Sequence, residues 1–172
     1  MPGLLVASLA LWGAALTIGA ADGLYFHLWK FRLYARPASK VEHLTHTLRA
    51  CLLGPMLWLG FVAPHLGAFI ALVALDSAVV LTDVSLENHS RRELGGIPTA
   101  EYLVHVAATA LHSGAVALAI AFWWTAGAVE VPALLRDAAL GLIATTVPVA
   151  LLHVALVFWK PGSPAVSAPP AH

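Results

Sequence analysis

Long hydrophobic runs separated by short polar segments make up most of the chain. A helix of roughly 20 residues crosses the hydrocarbon core of a membrane, and several runs reach this length. We predict five transmembrane helices over residues 4–28, 41–62, 66–86, 100–124 and 137–158. The predicted fold class is therefore an all-α, polytopic helical bundle. It forms a single domain over residues 1–160, and the segment 161–172, rich in Pro, Ser and Ala, is predicted to be a disordered tail.

Basic residues lie on one side of this predicted bundle. They follow the first helix, separate the third from the fourth, and follow the fifth: Lys30, Arg32, Arg36, Lys40, Arg91, Arg92 and Lys160. Cytoplasmic connections of membrane proteins carry such an excess of Lys and Arg. We therefore predict an N-terminus outside the cell, a cytoplasmic C-terminus and tail, and a location in the plasma membrane, which in a bacterium is the inner membrane.

Composition supports a membrane protein and excludes several functional classes. Hydrophobic residues make up 60% of the chain and charged residues only 10%, whereas a soluble domain carries about 25% charged residues. The formal net charge is zero, so we expect no nucleic-acid partner. Cys51 is the single cysteine, which excludes a disulfide framework and a CxxC metal motif.

Ionisable residues recur at helical intervals in two neighbouring predicted helices. The third helix carries acids at intervals of seven and four residues, and the fourth carries an acid and two histidines at intervals of four and seven. Both intervals return to nearly the same helix face. In antiparallel helices these residues would pair at three depths along the bundle: Glu87 with Glu101, Asp83 with His105, and Asp76 with His112.

The other helices add polar residues at the same end of the bundle. Glu42, His46 and Arg49 share a face of the second helix, while Asp22 and His27 end the first and His153 ends the fifth. Six carboxylates then accompany Arg49 as the one embedded permanent cation. Arg91 and Arg92 are expected in a solvated turn. Buried carboxylates must be protonated, paired with a cation or bound to metal.

Carboxylates and imidazoles that project inward from several helices are typical of di-metal sites in helical bundles. We predict a centre of one or two metal ions bound by Glu42, His46, Asp83, Glu87, Glu101 and His105. Asp76, His112 and Arg49 are the predicted catalytic residues, which would orient ligands or neutralise charge. A purely structural polar network between the third and fourth helices is the alternative for these residues.

Oxygen and nitrogen ligands favour iron, with zinc or manganese as alternatives. The predicted protein is a metalloenzyme that acts on a membrane lipid or another apolar small molecule, with oxidative chemistry preferred to hydrolysis. A redox partner and a homo-oligomer are both compatible with this function.

Two other functions fit the same residues. His46, His105, His112 and His153 would suit an electron-transfer protein with bis-histidine haem b, although haem does not explain so many nearby acids. A proton or metal-ion carrier is the further alternative, with the acids of the third helix as a relay. The outer half of the predicted bundle offers almost no ionisable residue to continue such a path.

Overall fold

The computed structural model of the protein describes residues 2–127 and 129–159. Five α-helices follow one another: α1 (Pro2–Ala21), α2 (Lys40–Leu57), α3 (Leu66–Ser90), α4 (Thr99–Ala126) and α5 (Ala133–Val157). Two of them continue as π-helices, α1 over Asp22–Lys30 and α2 over Trp58–Val62. Short 3-10 turns at Leu33–Ala35, Pro37–Ser39 and Arg92–Leu94 complete the connections.

The predicted all-α architecture with five helices is confirmed. Four helical segments are long and apolar enough to cross a membrane, and they contain α1, α3, α4 and α5. The charged helix α2 is not one of the four, so its predicted crossing of the membrane stays a prediction, as does the orientation of the bundle. The predicted disordered tail over 161–172 lies outside the described residues.

Helix α1 packs mainly along α4, and α2 packs between α3 and α5. The apolar core lies in the half of the bundle that contains the start of α1 and the end of α4, where Trp12, Met56, Phe61 and Phe69 are 0% exposed. Large apolar side chains such as Leu81, Trp124, Leu134 and Phe158 face outward. An outward apolar surface of this kind suits a lipid environment.

The starts of α3 and α2 differ in how they are capped. His65, in the turn before α3, accepts a hydrogen bond on Nδ1 from the backbone N–H of Ala68. Ser39 and Glu42 have the spacing of a capping box, but the side chain of Ser39 makes no cap hydrogen bond. Its hydroxyl instead donates to the carbonyl oxygen of Ser90 at the end of α3.

The π-helical continuation of α1 changes which residues share a face. In an α-helix, residues five positions apart point about 140° away from each other. In a π-helix the hydrogen bond joins residues five apart, so Asp22 and His27 lie one above the other. Their side chains approach to 3.7 Å between Oδ2 and Nε2. The change of helix type therefore directs His27 into the bundle.

Candidate metal centre

Ionisable side chains from all five helical segments meet at one end of the bundle and are largely buried. The exposed fraction is 5% or less for Asp22, Glu42, Asp76, Asp83 and Glu101, and for the histidines His27, His43 and His153. Residues of this type avoid full burial unless they are paired. We call this region the polar layer, and its contacts determine what it can bind.

Three imidazoles form the centre of the polar layer. His27, His46 and His105 come from three different helical segments, and one ring nitrogen of each lies within 4.8 Å of those of the other two. The rings of His27 and His46 are in edge contact at 3.9 Å between centroids. We call these three residues the histidine cluster. Its Nε2 atoms are buried and have no hydrogen-bond partner among the described residues.

Carboxylates surround the histidine cluster. Asp83, Glu87 and His105 form a second group whose ligand atoms lie within 4.8 Å of one another. Nε2 of His46 lies 3.2 Å from Oδ2 of Asp83, and Nε2 of His105 lies 3.1 Å from Oδ2 of Asp22. The geometry thus gives three imidazoles and three carboxylates, which is a donor set for a hard or borderline cation.

Arg91 corrects the predicted position of the basic loop. Its side chain is not in a solvated turn: the residue is 0% exposed. The guanidinium binds Glu42 of α2 at 2.8 Å and also binds Glu101 of α4, and it stacks over the ring of Phe31. The prediction that Arg49 is the one embedded cation is therefore wrong.

The ion pairs of Arg91 occupy two of the predicted metal ligands. Glu42 also accepts a hydrogen bond from the hydroxyl of Ser90, and its Oε1 lies 3.9 Å from Nε2 of His46. Glu101 lies 3.4 Å from Nε2 of His27. Burial lowers the pKa of Arg91, but its hydrogen bonds to Glu101 and Glu42 and their charges outweigh burial and hold that pKa above its ordinary value. The guanidinium therefore stays charged and positions both acids beside the histidine cluster.

The three predicted catalytic residues lie together, deeper in the bundle than the histidine cluster. Arg49 Nε donates to Asp76 Oδ1 at 3.2 Å, and Asp76 Oδ2 lies 3.6 Å from Nδ1 of His112. The ring of His112 meets the indole of Trp12 edge-on, 4.6 Å between centroids. This group joins α2, α3, α4 and α1.

A second histidine pair lies beside the cluster. His43 and His153 stack at 5.4 Å between centroids with their planes 19° apart. Gly23 allows this packing, because a Cβ at that position would lie 3.3 Å from Nε2 of His153. Neither residue belongs to the groups that bring three candidate ligands together among the described residues.

A cavity of about 380 Å³ borders both the histidine cluster and the deeper group. Asp22, His46 and His105 line one part, and Arg49 and His112 line another. Apolar side chains form most of the remaining wall, including Trp12, Leu16, Leu53, Leu142 and Val149. Small-molecule sites are typically apolar cavities of about 300–1,000 Å³ with a few polar groups.

Of the predicted ligands, His46, Asp83, Glu87 and His105 lie in the candidate metal groups, whereas Glu42 and Glu101 bind Arg91. The predicted ligand set omits His27 and Asp22, which the π-helix brings into contact with the centre. It also omits Arg91. The excess of carboxylates over cations in the sequence was the one signal that pointed to a further buried cation.

Comparison with protein-family models, with curated proteins and with solved structures finds no match to this chain, so its function has to be argued from the site.

Proposed function

We propose that the protein is a membrane metalloenzyme whose centre binds one or two ions at the histidine cluster and at the carboxylates of Asp22, Asp83 and Glu87. The observation that carries this proposal is the convergence of His27, His46 and His105, whose ligand atoms lie within 4.8 Å of one another. These buried imidazoles face buried carboxylates without hydrogen-bond geometry, which is costly, and a cation would satisfy both.

Iron is the preferred metal, because mixed imidazole and carboxylate ligands suit it and no thiolate contributes. A redox-active ion would supply oxidation of an apolar substrate. In a hydroxylation, dioxygen, two electrons and two protons convert a C–H bond to C–OH and release water, so a reductant partner must deliver the electrons. With zinc the centre would instead activate water for hydrolysis.

The neighbouring cavity supports a lipid or another apolar molecule as substrate, since apolar side chains form most of its wall and the ligands Asp22, His46 and His105 line it. The residues of this chain would exclude water and hold the substrate against the centre. Arg91 would keep Glu101 beside His27.

Two features favour a bare ion over the alternatives. Carboxylate oxygens lie 3.2 Å from Nε2 of His46 and 3.1 Å from Nε2 of His105, so these two predicted haem ligands face acids where a porphyrin would have to lie. A carrier needs a path through the whole bundle, but among the described residues the buried and half-buried ionisable groups of the polar region end at Asp76 and His112.

Metal analysis of detergent-purified protein tests the proposal. We expect stoichiometric metal in the wild type and its loss in His46→Asn. His43→Asn is the matched control, because His43 is on the same helix, is also buried and lies outside the metal groups. A Soret band would establish haem instead. Absence of metal from the wild type after growth with iron, manganese and zinc, or equal metal in both variants, would refute the proposed centre.

A further inference from the structure

One wall of the cavity carries nitrogen atoms without partners. Trp12 lines the cavity and is 0% exposed, and its Nε1 has no hydrogen-bond partner within the described part of the chain. An indole N–H is a donor only, and buried donors are nearly always paired. Trp12 therefore lacks an acceptor.

Two further nitrogen groups line the same cavity, and one of them contacts this indole. The ring of His112 contacts Trp12, and its Nε2 is also buried with no partner among the residues described. Arg49 lines the same cavity with a side chain that is 20% exposed. Its Nε is bound to Asp76, but a guanidinium carries five N–H donors. Because Nδ1 of His112 faces Oδ2 of Asp76, it carries the proton of the neutral ring and Nε2 is an acceptor. The N–H donors of Trp12 and Arg49 and this acceptor thus line one part of the cavity, and Asp76 is the one acid bound to them among the described residues.

The charge of this group selects the kind of acceptor. Asp76 balances Arg49 at 3.2 Å, so the wall is neutral when His112 is neutral. An added carboxylate would leave a net negative charge in an apolar cavity, which is costly. A hydroxyl or carbonyl oxygen would satisfy the donors without adding charge.

We propose that the cavity binds an apolar molecule with one neutral oxygen, a hydroxyl or a carbonyl. Trp12 and Arg49 would donate to this oxygen, and a hydroxyl would also donate to Nε2 of His112. The inference rests on the proposed function only in taking the bound molecule to be the substrate. His112 and His105 are seven residues apart on α4, or roughly 10 Å along the helix. The apolar part of the molecule would therefore reach the histidine cluster while its oxygen stays at the deeper donors.

The same cavity indicates the route of entry. Thr17 and Gly19 of α1 and Thr145 of α5 line it and are exposed, so it opens between α1 and α5. This opening lies between two helical segments that are long and apolar enough to cross a membrane. The molecule would enter sideways, from the lipid.

Photolabelling with matched probes tests the inference. We would use aliphatic diazirines of equal chain length that end in a hydroxyl, a ketone, a methyl group or a carboxylate, and map the labelled peptides by mass spectrometry. We expect the hydroxyl and ketone probes to label the cavity at concentrations at least tenfold lower than the methyl and carboxylate probes. Equal labelling by all four, or preference for the carboxylate, would overturn the inference.

Variants test whether Arg49 causes the preference for the hydroxyl and ketone probes. Arg49→Met should reduce the advantage of the oxygen-bearing probes, and Arg49→Met with Asp76→Asn provides the same test if the single variant does not fold. Thr145→Val is the matched control, because this hydroxyl lines the cavity but donates to the carbonyl oxygen of Leu142 in its own helix. An unchanged preference in a folded Arg49 variant would refute the assigned role.

Metal content, measured on the same samples, separates this inference from the proposed function. Preferential labelling of metal-free wild-type protein by the hydroxyl and ketone probes would support the binding site even if no metal centre existed. Stoichiometric metal without any oxygen preference would overturn the inference alone.

Discussion

Replacing Arg91 by Met removes the cation that joins Glu42 of α2 to Glu101 of α4. All three side chains are nearly inaccessible, with Arg91 and Glu101 0% and Glu42 1% exposed. Removing one partner of a buried ion pair typically costs about 3–5 kcal/mol, because the other charge remains buried without compensation. Here two carboxylates lose the same cation, so we expect Arg91→Met to lower the free energy of unfolding by at least about 3 kcal/mol.

Thermal unfolding in detergent, followed by circular dichroism, measures this loss. For chains of this size a change of 1 kcal/mol shifts Tm by roughly 2–4 °C, so the expected decrease is on the order of 10 °C. Arg92→Met is the matched control. Arg92 is the next residue but is exposed, and exposed substitutions usually change stability by less than about 0.5 kcal/mol. Equal decreases in the two variants would refute the buried role of Arg91.

Neutralising the acids identifies the cause of the loss. Adding Glu42→Gln and Glu101→Gln to Arg91→Met removes the uncompensated charges, so the triple variant should recover much of the stability. Replacing all members of a buried ion pair is often nearly neutral, unlike removing one. If the triple variant is as unstable as Arg91→Met, packing of Arg91 against Phe31 rather than charge determines the loss.

Three further predictions concern the metal, a helix contact and a helix cap. When free metal is present at 100 times its Kd, binding stabilises the folded protein by about 2.7 kcal/mol. Removing the metal with EDTA should lower the free energy of unfolding by this amount, and an unchanged Tm would contradict a bound metal. Gly23→Ala places a Cβ 3.3 Å from His153, whereas Gly19→Ala meets no described atom within 4 Å. Gly23→Ala should therefore be less stable than Gly19→Ala by about 1–3 kcal/mol, and equal Tm values would contradict this. His65→Ala removes the cap on the N–H of Ala68, so the free energy of unfolding in urea should fall by about 0.5–2 kcal/mol. An unchanged free energy of unfolding would show that the cap contributes nothing.

The helical period was sufficient to predict two of the three expected pairings between α3 and α4, whereas Glu87 lies 3.6 Å from His105 and Glu101 binds Arg91. Asp76 and His112 lie 3.6 Å apart, and His105 shares a candidate metal group with Asp83 and Glu87. These contacts follow from intervals of four and seven residues on antiparallel helices. The hydrophobic runs likewise predicted the five helices, and four helical segments are long and apolar enough to cross a membrane.

The remaining contacts depend on information that the period does not contain. The π-helix brings Asp22 and His27 together although they are five residues apart. In an α-helix, residues at this spacing lie on different sides. Arg91 reaches Glu42, 49 positions away in sequence, because the end of α3 folds against the start of α2. Local patterns predict neither the change of helix type nor this long-range contact.

The burial of Arg91 also bears on how many ions the proposed centre would bind. Six carboxylates lie in the polar layer, from Asp22, Glu42, Asp76, Asp83, Glu87 and Glu101, and two buried or half-buried arginines, Arg49 and Arg91, accompany them. Imidazoles that bind metal are neutral, so four negative charges remain when all six acids are ionised. Two divalent ions would neutralise them, and one would leave two buried charges uncompensated. We therefore expect two metal ions per protein. A ratio of one, measured by elemental analysis against protein concentration from amino-acid analysis, would show that two acids are protonated instead.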